Sequence, residues 1–275
     1  MNFIEEVQNY NFAYPVLISF VSILIYHYYK YYMRISNFNK ILEDENIFIL
    51  SNDFCKCIKI KLFGFTFKNK CMVCKINRII DFENCENIYY LLSKIKKKCN
   101  FIIHTEGGST VYSDFLPYII CQQNIELTTY IPEYSLSAGS FIALASKYIY
   151  MNWYSCMGPV DTQIDYPNND SDDEDCDETF AAKHIMEVTR KTNAVTKLRS
   201  MEAEGYHYDD LFIIKSMFKK KKQRRNIIKY FLETNNSHSI KYGPKDLKKF
   251  GLNVKIGIPD KIMNVFNEFK NIKKI

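Results

Sequence analysis

The sequence is poor in glycine and proline. Nine glycines and seven prolines occur among 275 residues, although glycine alone makes up about 7% of an average soluble protein. This scarcity, together with 47% hydrophobic and 25% charged residues, excludes a collagen-like, low-complexity or wholly disordered chain. Four of the nine glycines fall between residues 107 and 158, so glycine positions are most informative there.

Arginine is scarce as well. The chain has six arginines against 31 lysines, and its formal net charge of +6 comes from local runs rather than from a uniformly basic surface. A nucleic-acid-binding surface commonly combines clustered arginines with aromatic residues. Because that combination is lacking, we predict no nucleic-acid partner. Nothing in the sequence calls for a cofactor.

Charge is absent from most of the N-terminal segment. No charged residue occurs between Glu6 and Lys30, and residues 12–29 are apolar at 14 of 18 positions. This length is near the lower limit for a helix that crosses the hydrocarbon core, and tyrosines concentrate at its C-terminal end, as at a membrane interface. The acidic start and the lack of a small-residue cleavage site exclude a cleaved signal peptide. We therefore predict an anchor at residues 1–40 with one transmembrane helix over about 11–29; a buried core helix is the alternative.

The charges after this segment indicate its orientation. Lys30, Arg34 and Lys40 follow the predicted span. Because positive residues stay on the cytoplasmic side, we expect a single-pass membrane protein with its N-terminus outside and residues 41–275 in the cytosol.

Nine cysteines form no clear disulfide framework. Their number is odd, which agrees with thiols in a reducing compartment. Cys55 and Cys57 form a CxC pair, and Cys71 and Cys74 form a CxxC pair, so the four could bind a structural zinc. Both pairs lie in strand-like sequence and CxC is uncommon in such sites. We favour ordinary strand thiols and predict no metal.

Strand-like and helix-like segments alternate after the anchor. This order predicts an α/β fold. An acidic loop at 168–178 lacks the spacing of an EF-hand, and a basic run at 219–225 is either a solvated face or a contact for anionic lipid headgroups. The predicted strands lie within 46–82 and at 100–104, 126–132 and 148–152, and the predicted helices at 81–98, 109–123, 141–147 and 179–204.

Two small-residue turns carry candidate chemistry. Ser137 lies in the turn Ser-Ala-Gly after a strand and before a helix, where a serine hydroxyl can be exposed near backbone N–H groups. Gly107 and Gly108 follow a different strand, and their lack of side chains allows close approach of the backbone to a reacting oxygen. Either turn alone is weak evidence for a catalytic site.

The order of the motifs is more specific. FIIHTEGGS at 101–109, the Ser-Ala-Gly segment at 130–151 and MGPVDTQ at 157–163 together resemble the serine dehydrogenase proteinase family, relatives of signal peptide peptidase A in the Clp-protease/crotonase superfold. Residues 237–254 are also similar. The resemblance covers about 45–268 and implies a Clp/crotonase-like fold of repeated ββα units. Glu106 and Thr162 depart from the pattern by replacing prolines.

The resemblance also implies roles for individual residues. Ser137 corresponds to the nucleophile, and the backbone N–H groups of Gly108 and Ala138 to the oxyanion hole, with Gly107 shaping the loop. Relatives that use a lysine base carry it 40–50 residues downstream. Lys183 lies 46 residues after Ser137 and is the first candidate.

Other titratable residues remain open as alternatives. His238 is the second candidate for the base, and Lys191 is a weaker one. Asp161 either orients a base or bridges subunits. For His104 a structural role is favoured over a catalytic one, and Ser135 and Ser140 are interpreted as local turn hydroxyls.

The leading hypothesis is a membrane-anchored serine peptidase that cleaves peptide or protein substrates through an acyl-enzyme. The alternative is a catalytically inactive membrane scaffold or peptide-binding protein with the same fold, and acyl-CoA chemistry is a third interpretation. The resemblance further implies a homo-oligomer, a trimer or a multiple of one.

Overall fold

The structure is a computed structural model. It describes residues 3–51, 59–62, 65–68, 79–81, 91, 93–108, 110–166, 178–182, 185–186, 194–233 and 238–273, with the side chains of α1 described from residue 18 onward. Several sequence predictions fall outside these residues: the four candidate zinc cysteines Cys55, Cys57, Cys71 and Cys74, the candidate bases Lys183 and Lys191, and nearly all of the acidic loop.

The strands and helices alternate over most of the described chain. The strands are β1 Ile47–Ser51, β2 Lys59–Leu62, β3 Phe65–Lys68, β4 Ile79–Asp81, β5 Lys98–His104, β6 Glu126–Ile131, β7 Tyr134–Ser135, β8 Tyr148–Met151, β9 Cys156–Met157, β10 Gln163–Tyr166, β11 Glu178–Ala181 and β12 Val254–Ile256. The helices are α1 Phe3–Asp44, α2 Thr110–Gln122, α3 Ala138–Leu144, α4 Ala194–Met217, α5 Lys221–Ile227, α6 Pro244–Phe250 and α7 Asp260–Lys273, with a π-helical turn at Ile228–Leu232.

One parallel sheet organises the fold. Its strand order is β12-β8-β6-β5-β1-β4, and every neighbouring pair is parallel. All five residues of β1 are buried, which is typical of a strand covered on both faces. The α/β prediction is therefore confirmed.

Alternate residues of the central strands face two different cores. Phe48, Leu50, Phe101 and Ile103 belong to the larger core, which includes residues of α2, α3, α4 and α6. Ile47, Ile49 and Ile102 belong to the second core on the opposite face, whose other members are Ile258 and residues of α1 and α7. The larger core lies against the segments that carry the candidate motifs.

Helix α1 has two distinct parts. Toward its C-terminal end, Ile35, Phe38 and Leu42 are buried against α7. Every residue from 18 to 30 is exposed, although this part is rich in apolar side chains. No helix within the described part of the chain is long and apolar enough to cross a membrane, so the predicted span over 11–29 is not found there.

The sequence prediction for residues 179–204 needs correction. The segment Glu178–Ala181 is the strand β11, which pairs antiparallel with β10. Threonine and phenylalanine, the residue types at positions 179 and 180, favour strands. The strand forms by pairing with β10, and a local sequence pattern does not reveal a pairing with a separate segment. The helix α4 begins at Ala194 and extends to Met217, beyond the expected end at 204.

Candidate active site

Ser137 occupies an unusual backbone conformation between β7 and α3. Its φ and ψ angles are 47° and −123°. The other described non-glycine residues with positive φ are Asn46 and Asn124, and asparagine tolerates such angles better than serine does. A sparsely populated conformation costs about 1–3 kcal/mol and is found most often at functional sites. The turn holds Ser137 in this conformation at the N-terminal end of α3.

Gly107 packs directly against Ser137. A Cβ atom on Gly107 would lie 2.8 Å from the Ser137 Cβ and 3.3 Å from its Oγ. The φ angle of Gly107 is also positive, at 139°. Its position is fixed by Thr105, whose Oγ1 accepts a hydrogen bond from the Gly107 N–H at 3.1 Å and donates one to the Gly107 carbonyl at 2.8 Å. Glycine is required here by both the space and the backbone angle.

Gly139 allows the start of α3 to pack closely on β5 and on Thr105, the residue that follows β5. A Cβ at this position would lie 2.3 Å from Thr105 Cγ2 and 2.9 Å from Ser135 Oγ. Both values are below any normal contact, and the Thr105 atom sits on a buried, branched side chain. The glycine of the Ser-Ala-Gly sequence is therefore needed for close packing, separately from the chemical role predicted for Ser137.

Ser140 joins the serine turn to the Gly-Pro-Val-Asp segment. Its hydroxyl donates to the Ser135 carbonyl and accepts a hydrogen bond from the Gly158 N–H at 3.0 Å. A Cβ on Gly158 would lie 3.1 Å from Leu136 Cδ2, so this glycine also permits a close approach. The structure thus brings together all three elements that the sequence singled out.

Three polar groups at the turn have no hydrogen-bonding partner among the described residues. They are the Ser137 hydroxyl and the backbone N–H groups of Gly108 and Ala138. Ser137 is half-buried and Gly108 is exposed. Ala138 is buried, at 5% exposed.

His238 is held by a carboxylate. Its Nδ1 lies 2.8 Å from Asp161 Oδ1, and Gln163 Nε2 donates to Asp161 Oδ2 at 2.8 Å. Gln163 Nε2 also lies 3.2 Å from His238 Nδ1. Asp161 is buried, whereas His238 is about one-third exposed. A carboxylate at Nδ1 fixes the ring and leaves Nε2 for another partner.

Comparison with known families agrees with the motifs. The sequence profile of the ClpP-like SDH-type serine proteinases matches residues 14–273. The chain belongs to this family. The resemblance drawn from the three motifs is thereby confirmed.

Two curated relatives of this family member come from Methanocaldococcus jannaschii. The uncharacterized protein MJ1495 is 27% identical over 197 residues, which cover 68% of this chain and 63% of that protein. The uncharacterized protein MJ0137 is 23% identical over 198 residues, covering 71% of this chain and 67% of that protein. The chain thus spans less than two thirds of the length of MJ1495.

Solved structures give weaker similarities. A mutant of ClpP1 from Listeria monocytogenes is 12% identical with a TM-score of 0.40, covering 80% of this chain and 96% of that chain. A mutant of the 1510-N membrane-bound stomatin-specific protease is 14% identical with a TM-score of 0.36, covering 80% of this chain and 83% of that chain.

Asp210 is a buried acidic residue that was not predicted from the sequence to have a role. The residue is buried in α4, and Thr162 Oγ1 donates to its Oδ2 at 3.0 Å. Burial, and then the nearby charges of Asp114 and Asp161, raise the pKa of Asp210 to about 8. A signal was present, because Asp210 lies seven residues after Ala203 and four before Ile214, on the buried side of the helix.

His104 has a structural environment, as expected. Its ring packs against Tyr134 and Phe266, with centroid distances of 4.4 and 5.2 Å. Its Nδ1 lies 3.6 Å from Glu133 Oε2, and Lys270 donates to the other oxygen of Glu133 at 2.6 Å. The histidine therefore connects the end of β5 to α7. No cluster of metal-binding side chains occurs among the residues that the structure describes.

Proposed function

We propose that this protein is a serine peptidase that works through an acyl-enzyme, with Ser137 as the nucleophile. The observation that carries the proposal is the strained backbone of Ser137, which is held against Gly107 and whose hydroxyl has no hydrogen-bonding partner within the described part of the chain. Strain of this kind is a feature of serine nucleophiles exposed on a strand-to-helix turn. Membership of a serine proteinase family supports the same reaction. The finer assignment to a Clp/crotonase-like fold is part of the proposal, supported by the ββα order of β6, β7 and α3.

The oxyanion hole in this proposal is formed by the backbone N–H groups of Gly108 and Ala138. Neither group donates a hydrogen bond to a described residue. Fixed donors of this type stabilise the negative charge that develops on the carbonyl oxygen, and removal of one donor typically slows the reaction about 10²–10³-fold. Gly107 keeps the loop close to the serine.

The base is the remaining part of the mechanism. We propose Lys183 on the strength of its spacing from Ser137; a lysine base must be desolvated to lose its proton near neutral pH. The alternative is His238, which is supported by its contact with Asp161. In either case the base takes the proton of the Ser137 hydroxyl and returns it to the leaving amine.

A fluorophosphonate probe tests the nucleophile. We expect the full-length protein to be labelled and Ser137→Ala to lose all labelling. Ser36→Ala, which changes an exposed serine on α1, is the matched control and should be labelled like the wild type. Labelling that survives in Ser137→Ala would refute the proposal. A wild-type protein that binds peptides without any labelling would favour the inactive scaffold.

Two further variants identify the base. Lys183→Met and His238→Gln are compared by the rate of probe labelling across pH 5–10. We expect Lys183→Met to remove labelling and His238→Gln to retain it. The opposite result would assign the base to the pair of Asp161 and His238. Full labelling in both variants would exclude both candidates.

We also propose that the apolar part of α1 attaches the protein to a membrane, with residues 41–275 in the cytosol and the N-terminus outside. The support is the run of exposed apolar side chains between Ile18 and Tyr29, which no described residue covers. Flotation of the full-length protein with lipid vesicles tests the attachment. The double substitution Ile23→Asp and Leu24→Asp should leave the protein in the dense fraction, and flotation of this variant would refute the role of α1.

Peptide or protein substrates and a homo-oligomeric state, a trimer or a multiple of one, complete the proposal. Both come from the resemblance to the family. Light scattering of the full-length protein measures the mass of the assembly, and a monomer at all concentrations would contradict the second point.

A further inference from the structure

The positive charge of the chain is concentrated on α5, α6 and the residues beside them. Eleven lysines and arginines but only two acidic residues lie between residues 219 and 249. This surplus exceeds the net charge of +6 of the whole chain, so the rest of the chain is acidic on balance. Nine of the basic residues are exposed on α5, on α6 or next to α5, and together they form what we call the basic surface: Lys219, Lys220, Lys221, Lys222, Arg225, Lys229, Lys245, Lys248 and Lys249.

The two helices hold these side chains next to each other. Gln223 Nε2 on α5 donates to the carbonyl of Gly251, at the end of α6, at 2.7 Å. The ring of Tyr230 stacks on the ring of Phe250, with a centroid distance of 4.1 Å. The buried apolar side chains of both helices belong to the larger core. The basic side chains therefore project from the outer side of one packed pair of helices.

Little of this charge is neutralised within the described part of the chain. Lys249 forms an ion pair with Asp246 at 3.5 Å, and Lys229 lies 5.2 Å from the centre of the Tyr230 ring. The other seven residues of the basic surface form no ion pair with any residue that the structure describes. Because like charges at this spacing repel one another, the basic surface favours a partner with negative charge.

A membrane and a nucleic acid fit this surface poorly. Helices α5 and α6 pack in the larger core, whereas α1 packs in the second core on the opposite face of the sheet. The basic surface is therefore on the other side of the sheet from the helix proposed to attach to a membrane. A surface for single-stranded nucleic acid offers aromatic rings to the bases, but the rings of Tyr230 and Phe250 stack on each other. A protein segment with negative charge remains.

The chain itself carries a segment of opposite charge. Seven acidic residues and no basic residue lie between residues 170 and 178. Residues 167–177 lie outside the described residues, but the strands on either side are paired, with Tyr166 of β10 opposite Glu178 of β11. The density of negative charge in this segment matches the density of positive charge on α5. Complementary charges of this kind select one partner and orient it.

The acidic segment and the basic surface belong to different regions of one subunit. Ala182, just after β11, packs with Ala203 of α4. The basic surface begins at Lys219, beyond the end of α4 at Met217, and that end lies about 21 Å along the helix from Ala203. Two complementary surfaces at separate places on each subunit form a head-to-tail contact, which closes into a ring when the copies are related by rotation.

We propose that the acidic segment 170–178 of one copy binds the basic surface of a second copy. The proposal rests on the homo-oligomeric state proposed above and is independent of the peptidase reaction. The two sides of the contact are different, so the same contact can repeat around a trimer. Because the contact is electrostatic, its affinity should decrease as the salt concentration is raised from about 0.05 to about 0.5 M.

Charge reversal on α5 tests the basic surface. The double substitution Lys221→Glu and Lys222→Glu changes two exposed residues in the first turn, where glutamate is well tolerated, so α5 should still form. We expect light scattering of the full-length protein to show assembly at least tenfold weaker than in the wild type. The double substitution Lys30→Glu and Lys40→Glu, at exposed residues of α1, is the matched control and should assemble like the wild type. Equal assembly of the two double variants would overturn the proposal.

Mixing two variants identifies the occupant. The double substitution Asp172→Lys and Asp173→Lys reduces the negative charge of the acidic segment. We expect this variant and the α5 variant each to self-associate weakly, and to bind each other at least tenfold more tightly than either binds itself. The reason is that the unchanged acidic segment of the α5 variant meets the unchanged basic surface of the other variant. A mixture that binds no more tightly than the separate variants would overturn the proposal, since a contact within one chain is not restored by mixing.

The remaining outcomes separate the proposals. If the α5 variant loses binding to duplex DNA or to phosphatidylserine vesicles while its assembly is unchanged, the basic surface serves a nucleic acid or a membrane and the interface is refuted. If the wild type assembles and neither reversal changes its mass, the interface fails and the homo-oligomeric state stands. A wild type that is monomeric at all concentrations refutes both, and fluorophosphonate labelling still decides the peptidase function.

Discussion

A Cβ atom placed on Gly107 would lie 2.8 Å from the Cβ of Ser137. The two turns come from different strands, β5 and the end of β7, yet they meet at a distance that only a glycine allows. Thr105 holds the Gly107 side of this contact through two hydrogen bonds. The spacing of the proposed nucleophile and the proposed oxyanion loop is therefore set by the backbone itself.

Substituting Gly107→Ala should abolish the reactivity of Ser137. The added methyl group both clashes with Ser137 and occupies a backbone angle of 139° that alanine avoids. We expect the rate of fluorophosphonate labelling to decrease at least 100-fold. Gly205→Ala is the matched control, because a Cβ at Gly205 meets no atom within 4 Å. Wild-type labelling in Gly107→Ala would show that the contact does not matter for the reaction.

Substituting Ser140→Ala should destabilise the fold. The change leaves the Gly158 N–H and the Ser135 carbonyl without their partner in a buried region, and such a loss typically costs about 1–3 kcal/mol. The free energy of unfolding, measured with urea on the full-length protein, should decrease by this amount. The exposed Ser36→Ala should change it by less than about 0.5 kcal/mol. Equal stabilities of the two variants would show that the two hydrogen bonds of the Ser140 hydroxyl do not stabilise the fold.

The stability of the protein should depend on pH through Asp210. Its pKa is about 8 in the folded state against an ordinary value of 3.8, so between these values the folded state keeps a proton that the unfolded state has lost. The contribution of the protonated Asp210 to the free energy of unfolding is complete below about pH 4. It is lost as the pH rises through about 8, and the free energy of unfolding decreases by up to about 1.4 kcal/mol per pH unit in this range.

Asp210→Asn removes this contribution, because the amide has no proton to lose. Urea unfolding at pH 5, 6, 7, 8 and 9 should show the wild type losing stability relative to Asp210→Asn as the pH rises to 8, and no further relative loss above that value. Parallel curves for the two proteins across the whole range would be inconsistent with a protonated Asp210. Asp246→Asn, at a side chain that is 46% exposed, provides the control for a general charge effect.

Substituting Phe38→Ala should show that the C-terminal part of α1 belongs to the folded domain. Phe38 is 2% exposed and packs in the core formed with α7. Replacement of a buried phenylalanine by alanine costs about 3–5 kcal/mol, measured as the free energy of unfolding. Phe20→Ala, at a side chain that is 59% exposed on the same helix, should cost almost nothing. Equal small effects would place all of α1 outside the domain.

Local backbone chemistry explains which parts of the site could be predicted from the sequence. Gly107, Ser137 and Gly158 were recognisable because tight turns and close approaches need particular residue types within a few positions. The helices α2 and α3 and the strand β6 were predicted from the alternation of strand-like and helix-like segments, with errors at their ends, whereas the short strand β7 was interpreted as a turn. The family could be recognised because the three motifs occur in a fixed order.

Contacts between distant segments explain what the sequence did not reveal. The strand β11 exists because it pairs with β10, and the local sequence alone suggested a helix there. The role of Asp210 depends on Thr162, which lies 48 positions earlier in the chain, so no local pattern could connect the two. The contact of Phe38 with α7 likewise joins the two ends of the chain. The domain boundary placed at residue 40 remains a prediction.

Helix α1 is one uninterrupted α-helix. It has 42 residues, about 63 Å at 1.5 Å per residue, and residues 16–44 contain neither glycine nor proline, which are the usual causes of a kink. Its inner part is held to α7 by the two hydrogen bonds of Arg34 with Glu268, and the turn at Glu45 and Asn46 connects its last residue to β1. A change in the tilt of residues 18–30 would therefore act directly on α7, and it would reach β1 through the turn at Glu45 and Asn46.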